Sequence, residues 1–416
     1  MSTPNNEQLE VLEKVNDESN ILITGGGGVG KSYTVKLILN YAKSNGKKVG
    51  ICALTGSAAV LIDATTLHSY LGIGLGKESV EYLISKIGKI PKTKKKLISL
   101  DMLIIDEISM LNDQLFSKIS EIFKILKNCT EPFGGIQIIL VGDLFQLAPI
   151  EGNYCFLAPD WDESHLFTFL LQTNMRQKDD TLFKDLLERL RWGRCSDEDF
   201  KILSQMKKTT FPPDIQPTRL YAKNNDVDRI NTTEYNKLIM KDPKIKQQTY
   251  HLTYPTNSTK SAATKNWVKS VKLNESISLC IGAQVMVTNN IDIEEGIING
   301  TRGIIVDIFN ASIKLKLING SIIDINYHKY VSDDNPLIEC AFLPIRLAWA
   351  ISIHKSQGMT IDALEVDLGE SIFACGQAYT ALSRGKNLKS IKIVNINKSS
   401  FRASPAVVAF YSDLLF

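Results

Sequence analysis

Through the first 180 residues, short apolar runs alternate with stretches of helical periodicity. The runs at 21–24, 49–55, 102–106, 136–141 and 166–171 are apolar almost throughout. Strands of a parallel sheet have this texture, because crossover helices cover both faces of the sheet. The stretches between the runs, such as 33–41, repeat their apolar positions at helical spacing, which predicts a parallel sheet wrapped in helices. A second set of α/β signals lies at 219–221, 364–368 and 391–394, split by a region of different character. Between about 230 and 340 the chain is rich in Thr, Asn, Ile and Val, with turn signals at Asn299 (NGTRG) and Asn319 (NGS). That pattern predicts a small all-β insertion. A lesser insertion is expected at about 71–100, where PKTKKK (91–96) reads as an exposed turn. Tandem repeats and low-complexity tails are missing from the pattern.

Composition narrows the class. With 416 residues the chain exceeds one ordinary core and predicts about two to four domains. Hydrophobic residues at 44% and charged residues at 22% describe a soluble globular chain, not a disordered one. The net charge of +3 permits a nucleic-acid groove without arguing for one. Seven scattered cysteines, with no C-x-x-C, read as reduced core residues of an intracellular protein. The first twenty residues carry five acidic side chains, which fits neither a signal nor a transit peptide. The most apolar stretch, 341–353, is broken by Pro344 and Arg346 and is too short to span a bilayer. These features predict an intracellular, cytoplasmic or nuclear protein without a membrane partner.

Residues 25–32 read GGGGVGKS, a complete G-x-x-x-x-G-K-[ST] phosphate loop between an apolar run and a helical stretch. Backbone N–H groups must wrap a polyphosphate at close range, which calls for positive φ and no Cβ. Gly25, Gly26, Gly27, Gly28, Val29 and Gly30 form the cradle, Lys31 reaches the β/γ-phosphates, and the Ser32 hydroxyl joins a Mg²⁺ shell. ATP and Mg²⁺ are therefore the expected ligands. At the end of the run 103–111 (LIIDEISML), Asp106 and Glu107 sit where open α/β sheets present ligand groups. Asp106 would hold Mg²⁺ and Glu107 would deprotonate the attacking water, although adjacent acids after a strand also serve as helix caps. In ILVGDLFQLAPI (139–150), Gln146 follows a strand with Asp143 and could sense a γ-phosphate, or could simply cap a turn.

The succession GGGGVGKS (25–32), ALTGSAA (53–59), TTLHSYLGIG (65–74), LIIDEISML (103–111), PFGGIQIILVGDLFQLAPI (132–150), AISIHKSQGMT (350–360) and QAYTALSRGKNL (377–388) resembles the petite-integration-frequency (PIF) family of superfamily-one B DNA helicases. That family is related to the helicases that act within bacterial exonucleases. The match runs from Gln8 to about Tyr411, and EISMLNDQLFSKISEIFK (107–124) is similar to the segment that marks the PIF branch. The resemblance implies two RecA-like P-loop motor domains with parallel sheets flanked by helices. The first would span 1–180, with a wedge-like insertion at about 71–100. The second would combine 181–229 with 341–416, around an SH3-like β-rich insertion at 230–340. It also implies ATP-dependent translocation on single-stranded DNA in the 5′ to 3′ direction and duplex unwinding.

Roles follow from the same resemblance. Gln8 matches the glutamine that reads adenine. Arg176 and Arg384 match the arginines that reach the γ-phosphate, where planar guanidinium groups stabilise charge spread over phosphoryl oxygens. Gln357 and Gly358 match the element coupling nucleotide to DNA. Thr55, His68, Ser356, Gln357 and Thr360 match strand-contacting positions, and the lysines of 92–96 could touch duplex phosphates. The chain departs from the pattern at Gly27, Val29 and Ser57 and in the TNM before Arg176. Expected partners are single-stranded DNA and single-strand/duplex junctions, with replication, repair, recombination or telomere-maintenance proteins beyond them, the chain itself acting as a monomer. From residues alone, a P-loop ATPase or switch that remodels protein is the alternative, but it leaves 350–388 unexplained.

Overall fold

The protein is described by a computed structural model, which covers all residues except 1–3, 63, 174–179, 212–216, 255–263, 266, 269–272, 290, 293–294, 296, 298–299, 318–319, 333–337 and 416. The described chain divides into two compact units, Met1–Ala222 with Ile353–Phe416, and Lys223–Ser352.

The first unit is built on a six-stranded sheet in the order Thr65–Thr66, Val49–Ala53, Met102–Asp106, Gln137–Gly142, Ile21–Thr24, Phe167–Leu170. Every pairing in it is parallel. The three central strands are buried along their whole length, matching their unbroken apolar sequence. Register sets the chemistry: Thr24 lies beside Gly142, and Ala53 beside Asp106. The segments following Thr24, Asp106 and Gly142 therefore all leave the same edge of the sheet. Helix Asn6–Asn16 and helix Lys31–Ser44 close one face over Val11, Val15, Val35 and Ile38. A second parallel set places Leu364–Leu368 between Thr218–Tyr221 and Ile391–Ile396. This set belongs to the same compact unit as the six-stranded sheet.

Lys223–Ser352 begins and ends outside the expected 230–340. It opens with helix Asn224–Lys241, whose Asn, Thr and Asp content hides a helical period. Buried Asn231 holds that helix by exchanging two hydrogen bonds with the backbone of Ala350, at 3.0 and 2.9 Å. The rest is antiparallel: a five-stranded sheet ordered Ile322–Asn326, Ser312–Leu317, Arg302–Ile308, Gln284–Val287, Ile345–Leu347, and two smaller strand pairs. Tyr250, Leu279, Val285, Ile313, Leu315 and Leu343 form its core. The turn residues Asn299 and Asn319 lie outside the described residues.

PKTKKK is not a turn. Pro91 starts the helix Pro91–Ile98, where its fixed φ suits the first position and its missing N–H has no helical partner to lose. With helix Val80–Gly88 it forms a helical pair that buries Leu83, Ile87 and Leu97. Lys92, Lys94 and Lys95 are exposed, whereas Lys96 lies 3.6 Å over the Tyr70 ring. The seven cysteines are free thiols. Among the described residues no helix is long and apolar enough to cross a membrane.

Gly376, at φ +75°, ties the two halves of the first unit together. A Cβ there would stand 2.4 Å from the carbonyl oxygens of both Phe145 and Gln146. Gly376→Ala combines left-handed strain with a backbone clash and should cost about 2 kcal/mol or more. Chemical denaturation reads this directly, and a variant with unchanged midpoint and slope would contradict the packing described.

Candidate active site

The loop after Thr24 needs a residue without Cβ where it leaves the strand. Gly25 has φ +143°, and a Cβ on it would lie 2.3 Å from the Leu171 carbonyl oxygen. Gly28 and Gly30 also have positive φ, and Gly30 stands at the N-cap of helix Lys31–Ser44. Val29, the loop's one branched residue, is buried in the core beneath it. Ser32 is exposed in the first helical turn. The Lys31 ammonium donates to the carbonyl oxygens of Gly25 and Gly26, at 2.8 and 2.9 Å. Burial pulls its pKa below the ordinary value, against the opposing charges of Asp143 and Glu107.

Asp106 ends its strand, and Glu107 follows in the left-handed region at φ 57°, with its N–H donated to Asp106 Oδ1 at 2.8 Å. Burial first, and the neighbouring Glu107 second, push the Asp106 carboxyl well above the usual range. A cation beside it would relieve that cost. Among the described residues no group of three or more His, Cys, Asp or Glu could hold a metal. Asp106 and the Ser32 hydroxyl, the two ligands expected from sequence, would be a sparse oxygen set of the kind Mg²⁺ accepts, since that ion keeps waters and takes phosphate oxygens as ligands.

The other wall comes from residues more than 200 positions downstream. Gln357, fully buried, donates from Nε2 to Glu107 Oε2 at 2.9 Å. Its side chain therefore meets the acid, not a DNA-facing surface. Arg384 is also fully enclosed: Nε donates to the Thr380 carbonyl at 3.0 Å, and Nη2 reaches Ser383 Oγ at 2.8 Å and Gln146 Oε1 at 3.4 Å. Burial lowers its pKa, with Glu107 as the main opposing charge. Gly358 takes a positive φ of 79° in the turn after Gln357. Lys31, Glu107, Gln146, Gln357 and Arg384 are thus joined in one buried electrostatic neighbourhood. Arg176 lies outside the described residues.

Sequence reasoning missed the network that underlies this neighbourhood. Asp143 accepts from Arg191 Nε at 3.1 Å and from the Tyr379 hydroxyl at 2.9 Å. The Arg191 guanidinium lies against the stacked rings of Phe145 and Tyr411, 4.7 and 4.8 Å from their centroids. Tyr411 accepts from Leu144 N–H at 3.3 Å and shares a hydrogen bond with Thr24 Oγ1. Nothing in sequence separates Arg191 from the other cations of an amphipathic helix, Thr181–Arg191, except that its position falls on the buried face. Beside this network a cavity of about 370 Å³ opens between Gly26, Gly27, Gln172, Glu188, Arg191 and Tyr379.

The remaining expected residues are less concentrated. Gln8 is buried in a capping box, its Oε1 accepting from Asn5 N–H at 3.1 Å. Thr55 Oγ1 accepts from Ala58 N–H at 3.2 Å, and His68 is half-buried, so desolvation lowers its pKa. Ser356, expected to contact the strand, is instead fully buried and donates to the Ile353 carbonyl at 2.8 Å, a bond that stabilises the turn. Thr360 is exposed.

Comparison with known proteins supplies relatives for this arrangement. Residues 3–201 match the family PIF1-like helicase, and residues 270–308 match DNA helicase Pif1, 2B domain. The ATP-dependent DNA helicase PIF1 of Xenopus laevis is 34% identical over 419 residues, covering 98% of this chain but 64% of that protein. The chain thus spans less than two thirds of the length of that relative. The crystal structure of Pif1 helicase from Candida albicans is similar with a TM-score of 0.90 at 31% identity, covering 100% of both chains. Pif1 helicase from Bacteroides in complex with ADP-AlF3 and ssDNA has a TM-score of 0.76 at 26% identity, covering 100% of this chain and 98% of that one.

The buried ion pair makes one stability prediction. Arg191→Met keeps much of the volume packed against the two rings and strips Asp143 of its counter-charge, an effect of about 3–5 kcal/mol. Unfolding in urea measures it, and a loss below about 1 kcal/mol would show that Asp143 is not held by Arg191.

Proposed function

The chain belongs to the Pif1-like family of helicases, and from that premise we propose that it is an ATP-dependent 5′ to 3′ DNA helicase, translocating on single-stranded DNA and unwinding duplex or structured DNA. The observation that carries the reading is the buried meeting of Glu107, Gln357, Gln146 and Arg384 beside the loop 25–32. A loop of this kind binds nucleotide in many proteins that do no mechanical work. Gln357 and Arg384, from the far half of the chain, give hydrolysis something to move.

In this reading ATP phosphates draw Lys31 away from the Gly25 and Gly26 carbonyls. Glu107 accepts the proton of the attacking water, while Gln146 orients that water and the γ-phosphate. Arg384, and Arg176 by resemblance, stabilise charge on the transferring phosphoryl group. Ser32 and Asp106 would hold Mg²⁺, which offsets charge on the β- and γ-oxygens. Gln8 would read the base. Two RecA-like lobes, 1–180 and 181–229 with 341–416, would close on nucleotide and open on its release.

DNA would lie across Thr55, His68 and Thr360. The exposed lysines 92, 94 and 95 of the helical pair would meet duplex phosphates at a junction. The relative from Bacteroides was solved with single-stranded DNA and a nucleotide mimic, which supports this assignment. Service in replication, repair, recombination or telomere maintenance, as an intracellular monomer with protein partners, completes the proposal.

Strand displacement with 5′-tailed and 3′-tailed duplexes tests the proposal. ATP-dependent unwinding is expected from 5′ tails only, and Lys31→Ala should abolish it together with hydrolysis. Unwinding only from 3′ tails would reverse the assigned polarity, and full activity in Lys31→Ala would remove the loop from the mechanism.

A further inference from the structure

The segment 379–384 lies directly on the phosphate loop. Gly27 N–H donates to the Tyr379 phenol oxygen at 3.0 Å, and that phenol donates its own proton to Asp143 Oδ2 at 2.9 Å. A methyl group built on Gly26 would stand 3.5 Å from the same phenol oxygen. One built on Gly27 would lie 3.3 Å from Ser383 Cβ and 3.9 Å from an Arg384 nitrogen. One short stretch of chain thus covers the part of the loop where phosphate oxygens would arrive.

The polarity of this chain of bonds is fixed by chemistry. A phenol has one proton and can also accept. Asp143, ion-paired with Arg191, takes the proton, which turns the oxygen's lone pairs toward Gly27. Burial, reinforced by the Asp143 charge, keeps the phenol protonated far above neutral pH. Backbone N–H groups of such loops are the donors that receive phosphate. One N–H does not serve a phenol and a phosphate oxygen at full strength together. Lys31 is in a matching state, turned onto the loop's own carbonyls.

We propose that Tyr379 is a positioning residue of the nucleotide site: its hydroxyl occupies Gly27 N–H in the nucleotide-free protein and yields that donor to a phosphate oxygen on binding. The inference rests on the nucleotide-binding role assigned to the loop. Affinity is then set below its maximum by a bond that must break. The broken bond lies within a network that runs through Asp143 and Arg191 to Tyr411 of the C-terminal helix Pro405–Leu415.

Tyr379→Phe removes only the hydroxyl. Asp143 keeps its bonds from Arg191, and Gly27 N–H loses its partner in the unbound state alone. Calorimetry with ADP and with the β,γ-imido analogue of ATP should show binding tighter by about threefold to tenfold, the worth of one neutral hydrogen bond. The KM for ATP should fall by a similar factor with kcat little changed, whereas structural damage would weaken binding and lower kcat. Independently of any variant, crystals of the wild-type protein with the imido analogue should place Tyr379 Oη beyond about 3.5 Å from Gly27 N. Equal or weaker binding by Tyr379→Phe, or persistence of the bond beside bound phosphate, overturns the proposal. A folded wild-type protein that binds neither nucleotide overturns the nucleotide-site reading instead.

Discussion

Parallel strands must all end on one edge of their sheet, and the chemistry of this protein follows from that constraint. Thr24, Asp106 and Gly142 close three neighbouring parallel strands at one edge, so the loop 25–32, Glu107 and the Asp143–Gln146 turn emerge side by side. No long-range search is needed to assemble them. An antiparallel arrangement of the same strands would send alternate ends to opposite edges. The glycine-rich loop then turns back under Leu171, where only a residue without Cβ fits, and delivers Lys31 to the edge already occupied by the acids.

What the edge gathers is a set of charges that would be costly if buried singly. Lys31, Asp106, Glu107, Asp143, Arg191 and Arg384 comprise three cations and three anions, and each lies near an opposite charge or a hydrogen-bonding oxygen. Asp143 and Arg191 are ion-paired with each other and serve the scaffold. Asp106 and Arg384 are not: burial raises the pKa of one and lowers that of the other. A site with incompletely compensated charges of both signs is prepared for a ligand that itself carries both, such as a polyphosphate with its divalent cation. The two halves of the chain meet here because Gln357, Tyr379 and Arg384 end in this same neighbourhood.

Much of this is legible in sequence because it depends on short-range rules. Fully buried strands show as unbroken apolar runs, and glycines at 25, 28 and 30 mark positive φ before a lysine and a helix. The acids at 106 and 107 and the amide at 146 follow from strand ends. Other features depend on distant partners that no local pattern encodes. Arg191 looks like a surface cation until it is seen packed against the stacked rings of Phe145 and Tyr411. Ser356 and Gln357 read as strand-contacting groups, yet one turns to a backbone carbonyl and the other to Glu107. The run 91–96 reads as a turn because proline and lysines signal exposure, yet a first-turn proline is equally at home in a helix. Helix Asn224–Lys241 is masked by residues whose side chains more often favour turns.

The central claim is that one buried neighbourhood, walled by distant halves of the chain, joins nucleotide hydrolysis to DNA. Steady-state ATP hydrolysis, with and without single-stranded DNA, for the wild-type protein and for Arg384→Ala tests it most directly. The account predicts hydrolysis strongly stimulated by DNA in the wild type, and a stimulated rate at least about a hundredfold lower in Arg384→Ala, the scale for removing one transition-state donor. Hydrolysis indifferent to DNA, or undiminished when Arg384 is lost, would contradict it.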